Sequence, residues 1–255
     1  MNYFGTASSS VRTGSVSHAI KGRGASFGLR LLPAAIRMAV LCLLLALSQA
    51  PAEAQVPSVR PPSGMLGADL LRMTLDGKYG EVALLAPEVL KRNSADLDAY
   101  IGYAWSLNAL GQHARARDVA TEGYSRFKDA RLAQALGEAC FNLGENEIAL
   151  KYLQEYLAYF PEGNRAAYSF YLCGEIYIRL GKFSHADIAL SAALQFNPAQ
   201  ARWWERLGWA REKNAQYLSA LKAYEQAVSL NPGLQDAQQG VQTASSENAK
   251  MESGL

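Results

Sequence analysis

One stretch decides the fold of this chain, residues 171–232, which read YLCGEIYIRLGKFSHADIALSAALQFNPAQARWWERLGWAREKNAQYLSALKAYEQAVSLNP. Residues of the same kind recur in it at a separation of 34 positions, and the matching pairs are Gly174 and Gly208, Ala186 and Ala220, Ala193 and Ala227, and Pro198 and Pro232. A fixed period of this length indicates a repeat architecture, in which each unit buries its apolar face against a neighbouring unit.

The residue types within one period predict a pair of helices that cross closely. Gly208 and Ala220 are small, and a larger side chain at either position would push two packed helices apart. Leu207 and Tyr224 supply the bulk that fills the space around such a contact. Pro232 ends the unit, because proline lacks a backbone donor and disfavours helical geometry in the residue before it.

This pattern resembles the tetratricopeptide repeat (TPR). The signature residues of the second copy are Trp204, Leu207, Gly208, Ala220, Tyr224, Ala227 and Pro232. The resemblance covers about residues 63–234 and implies an all-α fold, a right-handed superhelical solenoid of about five helix hairpins with a C-terminal capping helix. No stretch alternates apolar and polar residues for long enough to predict a β-sheet.

The predicted TPR domain spans residues 63–250. Its repeats are expected at about 63–96, 97–129, 130–163, 167–200 and 201–234, followed by a capping helix at 235–250 and a disordered tail at 251–255. An insertion at 164–166 separates the third repeat from the fourth. Pro87 falls in the second helix of the first repeat, where it is expected to kink or restart the helix.

Residues 1–54 have the pattern of an export signal. They hold five basic residues and one acidic residue, an apolar run at 38–47, and a small-x-small cleavage pattern at 52–54. A helix over the run would be about 15 Å long, which is short against roughly 30 Å of bilayer hydrocarbon. We predict a cleaved signal peptide, with a retained signal-anchor as the alternative, followed by a proline-rich linker at 55–62. In either case the repeats are expected outside the cytoplasm, in the periplasm or cell envelope.

Several functional classes lack the residues that they need. Residues 55–255 carry 20 basic and 22 acidic residues, a balance that gives no reason to expect a nucleic-acid partner. His113 and His185 have no histidine or cysteine at metal-ligand spacing, and the sequence contains no His-Glu-x-x-His, Gly-x-Ser-x-Gly or Gly-x-x-x-x-Gly-Lys motif. We therefore predict a protein that is not an enzyme and that uses no cofactor or metal.

Two cysteines follow the signal region, Cys140 and Cys173, and each falls in the first helix of its repeat. First helices of neighbouring TPR units pack side by side, so an oxidising compartment would permit a disulfide between them. The alternative is a pair of buried thiols that act as small hydrophobic residues.

The predicted binding site is a concave groove. In TPR proteins the first helix of each hairpin lines this groove, and the spacing i, i+4, i+7 places residues on one face of a helix. The spacing selects a set that we call the inner row: Ile101, Trp105, Asn108, Glu138, Phe141, Tyr171, Glu175, Ile178, Glu205 and Trp209. Large aromatic residues are typical anchors for a peptide or a partner helix, and the glutamates favour a basic or a neutral apolar ligand. The alternative is that the aromatic residues pack on second helices or, for Trp209, under the capping helix.

These features together predict a scaffold or adaptor of the bacterial cell envelope that binds a protein or peptide partner, possible settings being secretion, pilus or cell-wall assembly. The alternative function is binding of a glycan or small ligand, with Trp105, Tyr171 and Trp209 stacked on sugar rings. Membrane contact is expected only through an uncleaved N-terminal segment. The sequence leaves open the identity of the partner, the true start codon and the oligomeric state.

Overall fold

The computed structural model describes residues 60–254, and the predicted signal at 1–54 and the first part of the linker, 55–59, lie outside them. The described residues form eleven α-helices and no β-strand, and the helices are α1 (Gly67–Leu75), α2 (Tyr79–Arg92), α3 (Leu97–Ala109), α4 (His113–Phe127), α5 (Ala130–Asn142), α6 (Asn146–Tyr159), α7 (Ala166–Arg179), α8 (Phe183–Phe196), α9 (Ala201–Lys213), α10 (Tyr217–Leu230) and α11 (Gln235–Ser253). Within residues 60–254, no helix combines the length and the apolar composition that crossing a membrane requires.

Consecutive helices pair into five hairpins, α1–α2, α3–α4, α5–α6, α7–α8 and α9–α10, and α11 packs on the last of them. This all-α arrangement confirms the predicted fold class. Helix α2 runs unbroken through the exposed Pro87, so the proline does not restart the helix. Helix α11 ends at Ser253, three residues later than expected, where Gly254 adopts the left-handed conformation at φ 71°.

Small residues let the two helices of a hairpin approach closely. A Cβ atom added at Gly174 would lie 2.6 Å from Cγ of Leu190, and one added at Gly208 would lie 2.8 Å from Cδ1 of Tyr224. Both distances are much shorter than van der Waals contact, because carbon atoms pack at about 3.5–4.0 Å. The helices therefore cross where the sequence pattern placed the small residues.

The same turn joins the two helices of all five hairpins. In the first four it contains a glycine in the left-handed region, namely Gly77, Gly111, Gly144 and Gly181, with φ between 69° and 80°. In the fifth hairpin the corresponding residue is Ala215, with φ 56°. The N–H of Gln216 donates to the carbonyl of Arg211 at 2.9 Å, which closes the end of α9. The left-handed conformation costs an L-residue about 1–2 kcal/mol, so the fifth turn is strained.

Replacing Ala215 with glycine is expected to stabilise the protein by about 0.5–1 kcal/mol, since relief of the strained φ exceeds the added entropy of glycine in the unfolded chain. Urea unfolding should show a higher midpoint. The control is Gly181→Ala, which introduces the same strain into the fourth hairpin and should lower the midpoint. A lower midpoint for Ala215→Gly would contradict the strain at this turn.

Cys140 and Cys173 are free thiols, and both side chains are buried. The structure therefore has two buried thiols rather than a disulfide between α5 and α7. Burial raises the pKa of each thiol to about 12, with the carboxylate of Glu145 as a further cause at Cys140. At neutral pH neither sulfur has an appreciable thiolate fraction, and the thiolate is the reactive form.

Neither cysteine is expected to react with a thiol-specific reagent in the folded protein. With Ellman's reagent at pH 8, Cys140 and Cys173 should react more slowly than an exposed thiol by about two orders of magnitude or more. The reagent cannot reach the buried sulfur atoms, and little of either thiol is in the reactive thiolate form. Both thiols should react rapidly after guanidinium chloride has unfolded the protein. Rapid reaction of either one under native conditions would show that its helix opens readily.

Candidate functional site

The first helices of the hairpins form one layer. Each of α1, α3, α5 and α7 contacts the next first helix along the chain, and α9 contacts the capping helix α11, whereas successive second helices make no comparable contacts within residues 60–254. Neighbouring hairpins are therefore closer together on the first-helix side. This side, which we call the inner face, carries the inner row on α3, α5, α7 and α9.

The structure places much of the inner row under other side chains. Six of its members are buried, namely Ile101, Trp105, Asn108, Glu138, Ile178 and Glu205, and four are half-buried, namely Phe141, Tyr171, Glu175 and Trp209. Trp105 is only 8% exposed. The row is therefore brought together as one surface, but Trp105 is not the exposed anchor that the sequence suggested.

An arginine from the insertion before α7 covers Trp105. The guanidinium of Arg165 lies 4.1 Å from the centre of the Trp105 ring, and its Nη1 lies 3.3 Å from Oε2 of Glu138. Arg165 is the residue directly before α7 and belongs to the stretch 164–166 that interrupts the repeat period. The insertion thus ties the fourth hairpin to the second and third hairpins.

A second arginine makes the same kind of link one hairpin later. Nε and Nη2 of Arg206 donate to the two carboxylate oxygens of Glu175 at 2.7 and 3.0 Å, and its guanidinium lies 5.3 Å from the ring of Trp209. Arg179 on α7 lies 4.0 Å over the ring of Phe141 on α5. Each arginine reaches an aromatic or acidic residue of the inner row. The pairing removes the negative charge that the sequence suggested at Glu138 and Glu175.

The aromatic surface that remains accessible is a stack across α7 and α9. Tyr171 stacks on Trp203 with ring centres 4.9 Å apart and on Tyr168 with centres 6.1 Å apart. Tyr168 is 37% exposed. Burial raises the pKa of both tyrosines to about 12, so both phenols stay neutral over the physiological range. Sequence spacing missed Tyr168 and Trp203, although Tyr168 lies one turn before Tyr171.

The C-terminal end of the inner face is the part where acidic residues collect. Glu205 and Glu212 of α9 and Asp236 of α11 line a pocket with a volume of about 310 Å³ between α9, α10 and α11. The hydroxyl of Tyr224 donates to Glu212 at 2.9 Å. Burial raises the pKa of Glu205, and the arginines nearby, Arg206 and Arg202, oppose that rise. Of these three acidic residues the sequence analysis selected Glu205 alone, and Asp236 comes from the capping helix.

No group of three or more histidine, cysteine, aspartate or glutamate side chains within residues 60–254 is arranged to hold a metal ion.

Comparison with known proteins bears on the fold and on two of the repeats. A family model described as tetratricopeptide repeat matches residues 167–200 and 201–234. Tetratricopeptide repeat protein 37 of Xenopus laevis is 29% identical over 134 residues, which are 52% of this chain and 8% of that protein. Superkiller complex protein 3 of Homo sapiens is 29% identical over 146 residues, 54% of this chain and 9% of that protein. The chain thus spans less than a tenth of the length of these relatives.

Solved structures with a similar fold are also TPR-like solenoids. The crystal structure of MamA protein matches with a TM-score of 0.53 at 20% identity, covering 65% of this chain and 90% of that one. YrrB, described as a TPR protein with an unusual peptide-binding site, matches with a TM-score of 0.54 at 17% identity, covering 67% and 87%. At these identities the likeness concerns the fold alone. Residues 167–234 therefore carry two tetratricopeptide repeats, and the described part of the chain folds as an all-α TPR-like solenoid.

Proposed function

We propose that this protein is a non-enzymatic scaffold that binds a segment of a partner protein along its inner face. The observation that supports the proposal most is the continuity of this face, because first helices from successive hairpins present their side chains on one surface. The exposed edge of the aromatic stack, at Tyr168, and the acidic pocket at the C-terminal end lie on that surface. An extended peptide suits a surface that crosses several helices at spacings of about 8–10 Å.

Binding of a glycan is the second candidate function, and the geometry favours it less. Sugar rings stack on exposed aromatic faces, but Arg165 covers Trp105, and both Arg206 and Lys213 lie over Trp209. Among the aromatic residues of the inner face named above, Tyr168 offers the greatest exposed fraction.

Site-specific photo-crosslinking tests the scaffold proposal in the full chain. The photoreactive residue p-benzoylphenylalanine replaces Tyr168 on the inner face or, as the control, Tyr159, which is 71% exposed at the end of α6. We expect a discrete crosslinked partner from position 168 in the native host, and mass spectrometry should map it to one segment. Trp105 is unsuitable as a probe because it is buried. Equal crosslinking from both positions, or none from position 168, would contradict binding on the inner face.

We further propose that the protein acts in the cell envelope. The proposal rests on the basic and apolar pattern of residues 1–54. Cell fractionation followed by N-terminal analysis of the mature chain tests it, and we expect an envelope protein that begins near residue 55. A chain that starts at Met1 and stays in the cytosol would overturn this part of the proposal.

A further inference from the structure

The pocket at the C-terminal end of the inner face contains a buried carboxylate without a partner. Glu205 is 7% exposed, and within residues 60–254 its side chain has no ion pair within 4.0 Å and no hydrogen bond. The two other glutamates of the inner row differ from it, because Glu138 pairs with Arg165 and Glu175 pairs with Arg206. A buried carboxylate is costly unless a cation or donors compensate it.

The surroundings of Glu205 add negative charge. Arg206 also lines the pocket, but both oxygens of Glu175 take its donors. Asp236 is exposed on α11 and forms no ion pair with another residue of the described chain. Glu212 accepts a hydrogen bond from the hydroxyl of Tyr224, and within residues 60–254 its only ion pair is a long contact of 3.4 Å with the partly exposed Lys213. The pocket therefore carries an excess of negative charge, and Glu205, its most buried carboxylate, has no ion pair of its own.

The shape of the pocket fits a long side chain rather than a bare ion. Its volume of about 310 Å³ is at the small end of the range for ligand pockets. The rings of Trp209 and Tyr224 form part of the wall, and the ring of Tyr224 packs directly against Gly240, where an added Cβ atom would lie 2.4 Å from Cζ of the ring. Two aromatic rings in a mainly polar wall suit the methylene stem of a lysine or arginine, and the carboxylates suit its charged head.

We propose that this pocket binds a lysine or arginine side chain of the partner segment, with Glu205 as the main anion and Glu212 and Asp236 at its edge. The inference rests on the proposed function, since the basic side chain belongs to the segment that lies along the inner face. It specifies one anchor residue of the partner, a basic side chain, and the place where that side chain binds, the junction of α9, α10 and α11. The capping helix is then part of the binding site as well as the end of the solenoid.

The raised pKa of Glu205 is consistent with this assignment. Burial raises it, and the charged and titratable groups around the carboxylate are Arg202, Arg206 and Glu212 on its own helix and Glu175, Tyr224 and Asp236 on the neighbouring helices. A bound cation would favour the ionised form and lower the pKa of Glu205. Affinity for a basic side chain should accordingly fall as the pH drops through the pKa of Glu205.

Small probes test the pocket directly in the full-length protein. Nα-acetyl-argininamide and Nα-acetyl-lysinamide are titrated while amide and indole NMR signals of isotope-labelled protein are followed. Nα-acetyl-citrullinamide, which has nearly the shape of the arginine probe but no charge, is the control ligand. We expect saturable shifts at Gly240, Thr243 and the Trp209 indole with the basic probes only. Shifts of the same size with citrulline, or no saturable shift at these positions, would overturn the proposal.

Glu205→Gln should weaken binding of the arginine probe about tenfold or more, since a hydrogen bond to a charged group is lost. The matched control is Glu225→Gln, which makes the same change at an exposed site outside the pocket and should leave the affinity unchanged. Equal affinity of the wild type and Glu205→Gln for the arginine probe would contradict the assignment of Glu205 as the main anion of the pocket.

A stability readout shows that Glu205→Gln is folded. The folded state raises the pKa of Glu205 above its ordinary value of 4.5, so ionisation costs stability as the pH rises through and above that value. Glu205→Gln should therefore have a higher Tm than the wild type at pH 7, and the difference should vanish well below pH 4.5. A lower Tm at pH 7 would show that the carboxylate is compensated in the folded protein.

The two proposals can fail separately. If position 168 crosslinks a partner and the basic probes do not bind, the scaffold proposal stands and the pocket proposal is wrong. If the probes bind at Gly240 and position 168 captures no partner, the pocket recognises basic groups but the scaffold proposal is wrong.

Discussion

Replacing Gly174 with leucine is expected to destabilise the protein by about 3 kcal/mol or more. Even a single Cβ at this position would lie 2.6 Å from Cγ and 2.8 Å from Cδ2 of Leu190, so a leucine must push α7 away from α8. In a stacked array each unit contacts only its neighbours. Hydrogen exchange should therefore accelerate first in α7 and α8, and urea unfolding should lose cooperativity.

The control for this prediction is Gly80→Leu near the start of α2, where an added Cβ meets no atom of the described chain within 4 Å. Leucine has a higher helix propensity than glycine, by somewhat under 1 kcal/mol, so this variant should be neutral or slightly stabilised. In the double variant Gly174→Leu/Leu190→Ala, the missing Leu190 side chain should return part of the lost stability. Equal unfolding of Gly174→Leu and Gly80→Leu would count against the close crossing at Gly174.

Arg206→Met is expected to cost about 2–3 kcal/mol of unfolding free energy. Loss of one partner from a buried ion pair costs about 3–5 kcal/mol, and the partial exposure of the Arg206 side chain, 24%, reduces this figure. The reason is that the carboxylate of Glu175, with a side chain only 12% exposed, loses both of its charged donors. Chemical denaturation at pH 7 measures the change.

Two comparisons make the Arg206 prediction specific. Arg72→Met removes the partner of Asp69 in an exposed pair, with side chains 73% and 38% exposed, and should cost less than about 0.5 kcal/mol. Arg206→Met/Glu175→Leu removes both charges and should recover most of the loss, because no unpaired carboxylate remains at that point. If Arg206→Met lowers the unfolding free energy by no more than Arg72→Met does, the ion pair between Arg206 and Glu175, which joins the fourth and fifth hairpins, does not contribute to stability.

The arginine links explain how the hairpins hold one another on the inner face. Arg165 and Arg206 each join a glutamate of an earlier hairpin to their own first helix or to the turn before it. Such contacts act between neighbouring units, so they stabilise the array without a single central core. They also leave the C-terminal pocket as the place where negative charge is still available for a partner.

The sequence by itself determined the architecture. The 34-residue spacing of Gly174 and Gly208 indicated a repeat architecture, and the resemblance of the residues within one period to the tetratricopeptide repeat implied an all-α array of hairpins. Helical spacing also selected residues that lie on one face of α3, α5, α7 and α9, since residues at i, i+4 and i+7 share a face in any helix. The repeat period and the helical spacing can both be read from the sequence, because each depends only on the distance between positions along the chain.

Only the tertiary structure decided which members of the inner row a partner can reach. Trp105 is covered by Arg165, which is 60 positions away in the sequence and lies in an insertion that breaks the repeat period. Asp236 joins Glu205 because α11 folds back onto the last hairpin. Contacts of this kind depend on how separate hairpins stack, and the pairing of one long side chain with another across that stack leaves no periodic signal in the sequence.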